Sequence, residues 1–162
     1  MTTESYFSIG PARGSERRRI LVVDDDECTR CLYSVVFSRC GYQVEDASDG
    51  EEAWQALVSG HYDLLLTDQN MPQLTGLELV ARLREAGMRL PVVLNSGCDD
   101  LGSAADYPEL GLQAIIEKSA DLSELLETVR RAFGHLFSWS RGDENENRRT
   151  HGWLRVPTAP SG

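Results

Sequence analysis

The chain has 162 residues, of which 41% are hydrophobic and 26% charged, enough apolar material for one ordinary domain and too much for wholesale disorder. Its net charge of −10 is unevenly spread: residues 1–19 carry +2, residues 20–133 carry −13 and residues 134–162 carry +1. An acidic centre of that kind argues against nucleic acid or an anionic membrane as its direct ligand and favours a cation or a basic partner surface.

Residues 1–17 hold Gly10, Pro11, Gly14 and Ser15 with little periodicity and predict a flexible leader. They contain no apolar signal-like region, and no stretch approaches the ~18 apolar residues of a membrane span. A reducing cytoplasm is therefore expected. Ile20-Leu21-Val22-Val23 predicts a strand buried on both faces, stopping at Asp24-Asp25-Asp26. Residues 27–39 predict a helix with an apolar stripe of Cys28, Cys31, Leu32, Val35 and Val36, closed by Gly41. That stripe makes the Cys28-x-x-Cys31 pair buried or semi-buried free thiols; no second pair or nearby His completes a zinc set.

Tyr42 to Ala47 predicts a more polar strand at an edge, and Asp49-Gly50 starts a helix with Ala53, Trp54 and Leu57 on one face. Asp63 to Thr67 predicts a third strand ending at Asp68. Met71-Pro72 and Gly76 mark a loop, followed by a helix over 76–86 ended by Gly87. Pro91 to Leu94 predicts a fourth strand. A helix over 99–110 is expected to be short or irregular, because Gly102 and Pro108 interrupt it. Gln113 to Ile116 predicts a fifth strand, and Asp121 caps a last helix carrying Leu122, Leu125, Leu126, Val129 and Phe133. Residues 134–162, with Trp139 and Trp153 as isolated anchors, predict a mostly disordered tail after an extra helical turn. The expected units are thus 1–17, 18–133 and 134–162.

Five strands alternating with five helices predict an α/β fold, a doubly wound parallel sheet covered on both faces. In such a sheet ligands bind beyond the carboxyl ends of the strands. The polar residues that end the apolar runs fall there: Asp24 and Asp25 after the first strand, Asp68 at the third, Ser96 at the fourth and Lys118 at the fifth. Three converging carboxylates repel unless a cation is present. Mg²⁺ suits them, since it takes one or two carboxylates with backbone oxygen, waters and phosphate. A carboxylate so shielded can attack phosphorus. Lys118, the single lysine beside fifteen arginines, can pair with phosphoryl oxygens, and the Ser96 hydroxyl can donate to another.

The segments Leu21 to Asp26, Asp63 to Pro72 with Gly76, Pro91 to Gly97 and Ile115 to Lys118 resemble the receiver domain of two-component response regulators, over roughly residues 18–133. The resemblance implies a flavodoxin-like sheet in the order 2-1-3-4-5. It also implies Mg²⁺ held by Asp24, Asp25, Asp68 and the backbone carbonyl of Asn70, with Asp68 as phosphoacceptor and Ser96 and Lys118 beside it. A sensor histidine kinase or phosphotransfer protein would donate the phosphoryl group. The chain would then be a switch rather than a turnover enzyme, with at most autodephosphorylation. Only 29 residues follow Phe133, too few for a helix-turn-helix, so the expected downstream partner is a protein, with no direct nucleic acid and no membrane.

Three positions depart from the family pattern: Ile115 where an aromatic usually stands, Ser119 where Pro usually follows the lysine, and Asn95 at a usually apolar strand position. They motivate an alternative, an unphosphorylated pseudo-receiver acting as a constitutive protein-binding module. A phosphatase resembling the haloacid dehalogenases would need an acid two residues after Asp68, where Asn70 stands. Asn70 and Cys98 are the two residues expected to flank a phosphoryl group on Asp68.

Overall fold

The computed structural model describes residues 17–97 and 101–140, with side chains described as far as Gly134. Five strands, β1 (Arg19–Val23), β2 (Gln43–Ala47), β3 (Leu64–Asp68), β4 (Val92–Ser96) and β5 (Ala114–Glu117), form one all-parallel sheet in the order β2-β1-β3-β4-β5. This is the expected flavodoxin-like order, with the switch point between β1 and β3. β3 and β4 are buried at every position, as strands sandwiched between helices must be, while the polar β2 lies at an edge.

Side-chain alternation divides the core into two layers. Ile20, Val22, Leu64, Leu66, Val93 and Ile116 pack with Tyr33 and Phe37 of α1 (Glu27–Arg39) and with Leu125, Val129 and Phe133 of α4 (Leu122–Ser140). On the other face Leu21, Val23, Leu65 and Val92 pack with Ala53 and Leu57 of α2 (Gly50–Ser59) and with Leu79, Val80 and Leu83 of α3 (Gly76–Glu85). Each helix starts on a side-chain cap: Asp26, Asp49, Thr75 in a capping box with Glu78, and Asp121, whose carboxylate accepts from the Glu124 N–H at 2.9 Å.

Two expectations change. The apolar stripe of α1 faces outward: Cys28 and Cys31 are exposed, and Leu32 and Val35 are 47% and 51% exposed. The helix instead buries Tyr33 and Phe37 on its opposite side, because two aromatics cover more apolar area than a stripe of small side chains. Second, the fourth crossover contains no full α-helix among its described residues; a 3-10 turn stands at Ala104–Asp106. Gly102 and Gly111 adopt left-handed backbone (φ 66° and 56°), Pro108 follows the turn, and Arg84 ties the segment to the α3–β4 connection, donating to the Leu110 carbonyl at 2.7 Å and to those of Met88 and Leu90 at 2.8 and 3.1 Å. α4 continues past residue 133 to Ser140, where an extra helical turn is expected from the sequence. The leader up to residue 16, Cys98 and the tail beyond residue 140 lie outside the described residues.

Candidate functional site

Each expected site residue stands at the carboxyl end of a strand, where the apolar run gives way. Asp24 follows β1 and is buried; Asp68 and Ser96, the last residues of β3 and β4, are buried as well. Lys118 follows β5, fixed by its backbone N–H donating to the Ser96 carbonyl at 2.7 Å. Its ammonium nitrogen lies 2.9 Å from Asp24 Oδ2 and 2.9 Å from Asp68 Oδ2. Residues 94 positions apart in the chain are thus joined at one point through a single cation.

Asp25 is exposed, and one carboxylate oxygen from each of Asp24, Asp25 and Asp68 lies within 4.8 Å of the others. Asp24 and Asp25 sit on a turn that is itself tied down. The Asp26 N–H donates to Asp24 Oδ1 at 2.9 Å, and Arg30 Nη1 donates to the carbonyls of Asp24 and Asp25 at 2.8 and 3.2 Å. Arg30 Nε also reaches Asp46 at 3.1 Å. Sequence reasoning missed Arg30; its signal was a lone base one turn after an acidic run, a position from which a helical side chain reaches back over the preceding turn.

Gly76 fixes the approach of α3 to the site. A Cβ there would collide with the Asp68 carbonyl oxygen and lie 2.7 Å from Leu94 Cδ1, so the helix comes this near only without a side chain. The Gly76 N–H donates to the Gln69 carbonyl at 3.0 Å. Asn70, between them, is exposed beside Asp68.

Burial pushes the Asp68 carboxyl above the usual carboxylate range; bonding to Lys118 and the Asn70 backbone N–H draws it back only in part, and the charge on Asp24 adds to the rise. Burial lowers the Lys118 ammonium, but its contacts with Asp68 and Asp24 outweigh that and hold it above the usual lysine value. Three carboxylates against one ammonium leave the cluster anionic. Asp68 Oδ1 is buried with no hydrogen-bond partner, and Asp24 Oδ2, though in ion contact with Lys118, accepts no aligned hydrogen bond. Buried polar atoms are seldom left so. Hard anionic oxygens with free lone pairs beside an exposed carboxylate are the donor set a hard divalent cation such as Mg²⁺ takes.

The three departures are also located. Ile115 is half-buried and packs against the α2/α3-side layer, as do Ala104 and Tyr107. The Ser119 hydroxyl donates to Glu117 at 3.0 Å. Asn95, 2% exposed, donates to the Tyr33 hydroxyl oxygen at 2.9 Å.

Comparison with known proteins agrees with this arrangement. The model of the response regulator receiver domain matches residues 20–130. The DNA-binding transcriptional regulator NtrC of Azospirillum brasilense is 32% identical over 113 residues, which are 70% of this chain and 24% of that protein. The chain spans no more than a quarter of several of the curated relatives it matches. Among solved structures, a Francisella response-regulator receiver domain superposes with a TM-score of 0.69 at 26% identity, covering 74% of this chain and 99% of that one. The response regulator TrrA of Thermotoga maritima, in complex with Mg²⁺-BeF, gives a TM-score of 0.64 at 31% identity over 71% of this chain and 98% of that one.

Proposed function

The chain belongs to the response regulator receiver domain family, and on that premise we propose that Asp68 accepts a phosphoryl group from a sensor histidine kinase or a phosphotransfer protein. One observation carries this reading: the buried, unpartnered Oδ1 of Asp68, beside an ammonium and two further carboxylates. In the transfer an Asp68 carboxylate oxygen bonds to phosphorus as the donor's P–N bond breaks; the imidazole keeps that electron pair and takes up a proton. Asp24, Asp25, Asp68 and the Asn70 carbonyl would hold Mg²⁺, which supplies charge neutralisation for an anionic carboxylate meeting an anionic phosphoryl group. TrrA in complex with Mg²⁺-BeF supports that assignment by likeness.

Lys118 holds Asp24 and Asp68 apart from mutual repulsion before transfer and is placed to pair with a phosphoryl oxygen after it. The Ser96 hydroxyl, at the end of the neighbouring strand, donates to another. The acyl phosphate then acts by changing which protein binds, from a cytoplasmic unit of about residues 18–133 extended by the rest of α4. Direct contact with nucleic acid or a membrane forms no part of this role; none of the described helices is long and apolar enough to cross a membrane.

A second reading, a pseudo-receiver with constitutive binding, is favoured by Ile115, whose aliphatic side chain sits in an apolar cluster and cannot form a new hydrogen bond when the site changes state. Intact-mass analysis after incubation with acetyl phosphate and Mg²⁺ separates the two. The acceptor role predicts one Mg²⁺-dependent phosphoryl adduct that Asp68→Asn lacks; an unlabelled wild type under conditions that label another receiver domain supports the pseudo-receiver.

A further inference from the structure

The buried polar pair under the acid cluster is the feature that the acceptor chemistry leaves unused. Alternation along the strands puts Asp24, Asp68, Asn95 and Lys118 on one face of the sheet, in line with Val22, Leu66, Val93 and Ile116 of the layer beneath α1. Asp68 and Asn95 stand opposite each other in the β3–β4 register, so the Asn95 amide is the strand neighbour of the Asp68 carboxylate. That amide donates to Tyr33 Oη at 2.9 Å, a bond between residues 62 positions apart.

Tyr33 lies on α1, the helix that carries the acidic turn. Asp26 caps it by accepting from the Cys28 and Thr29 N–H groups at 3.3 and 3.1 Å, and Arg30 of the same helix grips the Asp24 and Asp25 carbonyls. The turn therefore moves with the helix. Only Tyr33 and Phe37 of α1 are buried, and Phe37 sits at the far end near Arg39. The half of α1 next to the acids is seated on the sheet by one buried side chain, Tyr33, and that side chain makes a directional bond to β4. Leu32 and Val35, which could have anchored it by packing alone, face outward.

We propose that Tyr33 and Asn95 are positioning residues for the divalent cation: their hydrogen bond fixes α1 on β4 and thereby sets the spacing between the Asp24–Asp25 turn and Asp68. Two apolar residues would fill the same space without the desolvation of two polar groups, but dispersion contacts fix no direction, whereas a satisfied hydrogen bond in a low-dielectric interior does. The inference rests on the Mg²⁺ reading given above.

Mg²⁺ binding by calorimetry, thermal unfolding and hydrogen exchange at the Cys28 and Thr29 amides would be measured on wild type, Tyr33→Phe and the double variant Tyr33→Phe/Asn95→Leu. The single variant strands a buried amide and is expected to melt lower; the double variant removes both polar groups and recovers that loss. Positioning predicts Mg²⁺ binding about five-fold weaker in both variants, with faster exchange at the two amides even where melting is restored. If affinity and exchange return to wild-type values with the melting temperature, the pair is core packing only and the proposal falls, while the metal reading stands. If wild type itself binds no Mg²⁺, the metal reading fails and this inference with it.

Discussion

Because burial holds the Asp68 carboxyl above its usual range, its ionised form is less favourable in the fold than in the unfolded chain. Above that raised value ionised Asp68 subtracts from stability; as pH falls through it, and then through the unfolded value of about 3.9, the penalty is released. Asp68→Asn keeps the shape and removes the charge. Without divalent cations the variant should melt above wild type at neutral pH, and the gap should close under acid; differential scanning calorimetry across pH checks this. A wild type that melts at or above the variant at neutral pH would show that Lys118 fully compensates the carboxylate. Asp24, Asp25, Asp68, Ser96 and Lys118 were legible in the sequence because each ends an apolar run. Arg30 and Tyr33 were not: one acts on backbone carbonyls and the other through a partner 62 residues away, and neither relation leaves a local pattern.

At the scale of elements, α1 is where periodicity misled. Its stripe of Cys28, Cys31, Leu32 and Val35 has helical spacing, yet an opposing aromatic pair at i and i+4 claims the core. Cys28→Ser and Cys31→Ser should therefore shift stability by no more than about 0.5 kcal/mol, and both thiols should react with a maleimide in the native state. Slow labelling that requires unfolding would return them to the interior. The β3–α3 connection behaves oppositely. There Met71-Pro72 and Gly76 read correctly as a loop, and the structure adds why the glycine is needed: the helix start touches the Asp68 carbonyl. Gly76→Ala should cost about 1–3 kcal/mol in chemical denaturation, because a methyl group must displace either that carbonyl or Leu94. The fourth crossover was legible only as an irregularity. Its end is held by Arg84 from outside the segment, which donates to the Leu110 carbonyl while also bonding the Met88 and Leu90 carbonyls of the α3–β4 connection.

For the whole molecule, strand count, parallel pairing and the 2-1-3-4-5 order followed from five apolar runs alternating with helical patterns and from the family resemblance. Chain order says little of which layer each helix covers or how far α4 extends, since both depend on the packing of residues distant in sequence. Three of the central segment's acids, Asp24, Asp25 and Asp68, meet in one cluster at the strand ends, with Lys118 as the cation in contact with both buried carboxylates. That lysine arrives from β5, an edge strand and the last to leave a ribosome. Until β5 docks, Asp24 and Asp68 face each other without their shared counter-charge, and opening of that edge exposes the same repulsion. On the proposed acceptor role, a nascent or frayed chain would be chemically unprepared to be charged with phosphate, and competence at the acceptor would certify that the sheet has been completed to its final strand.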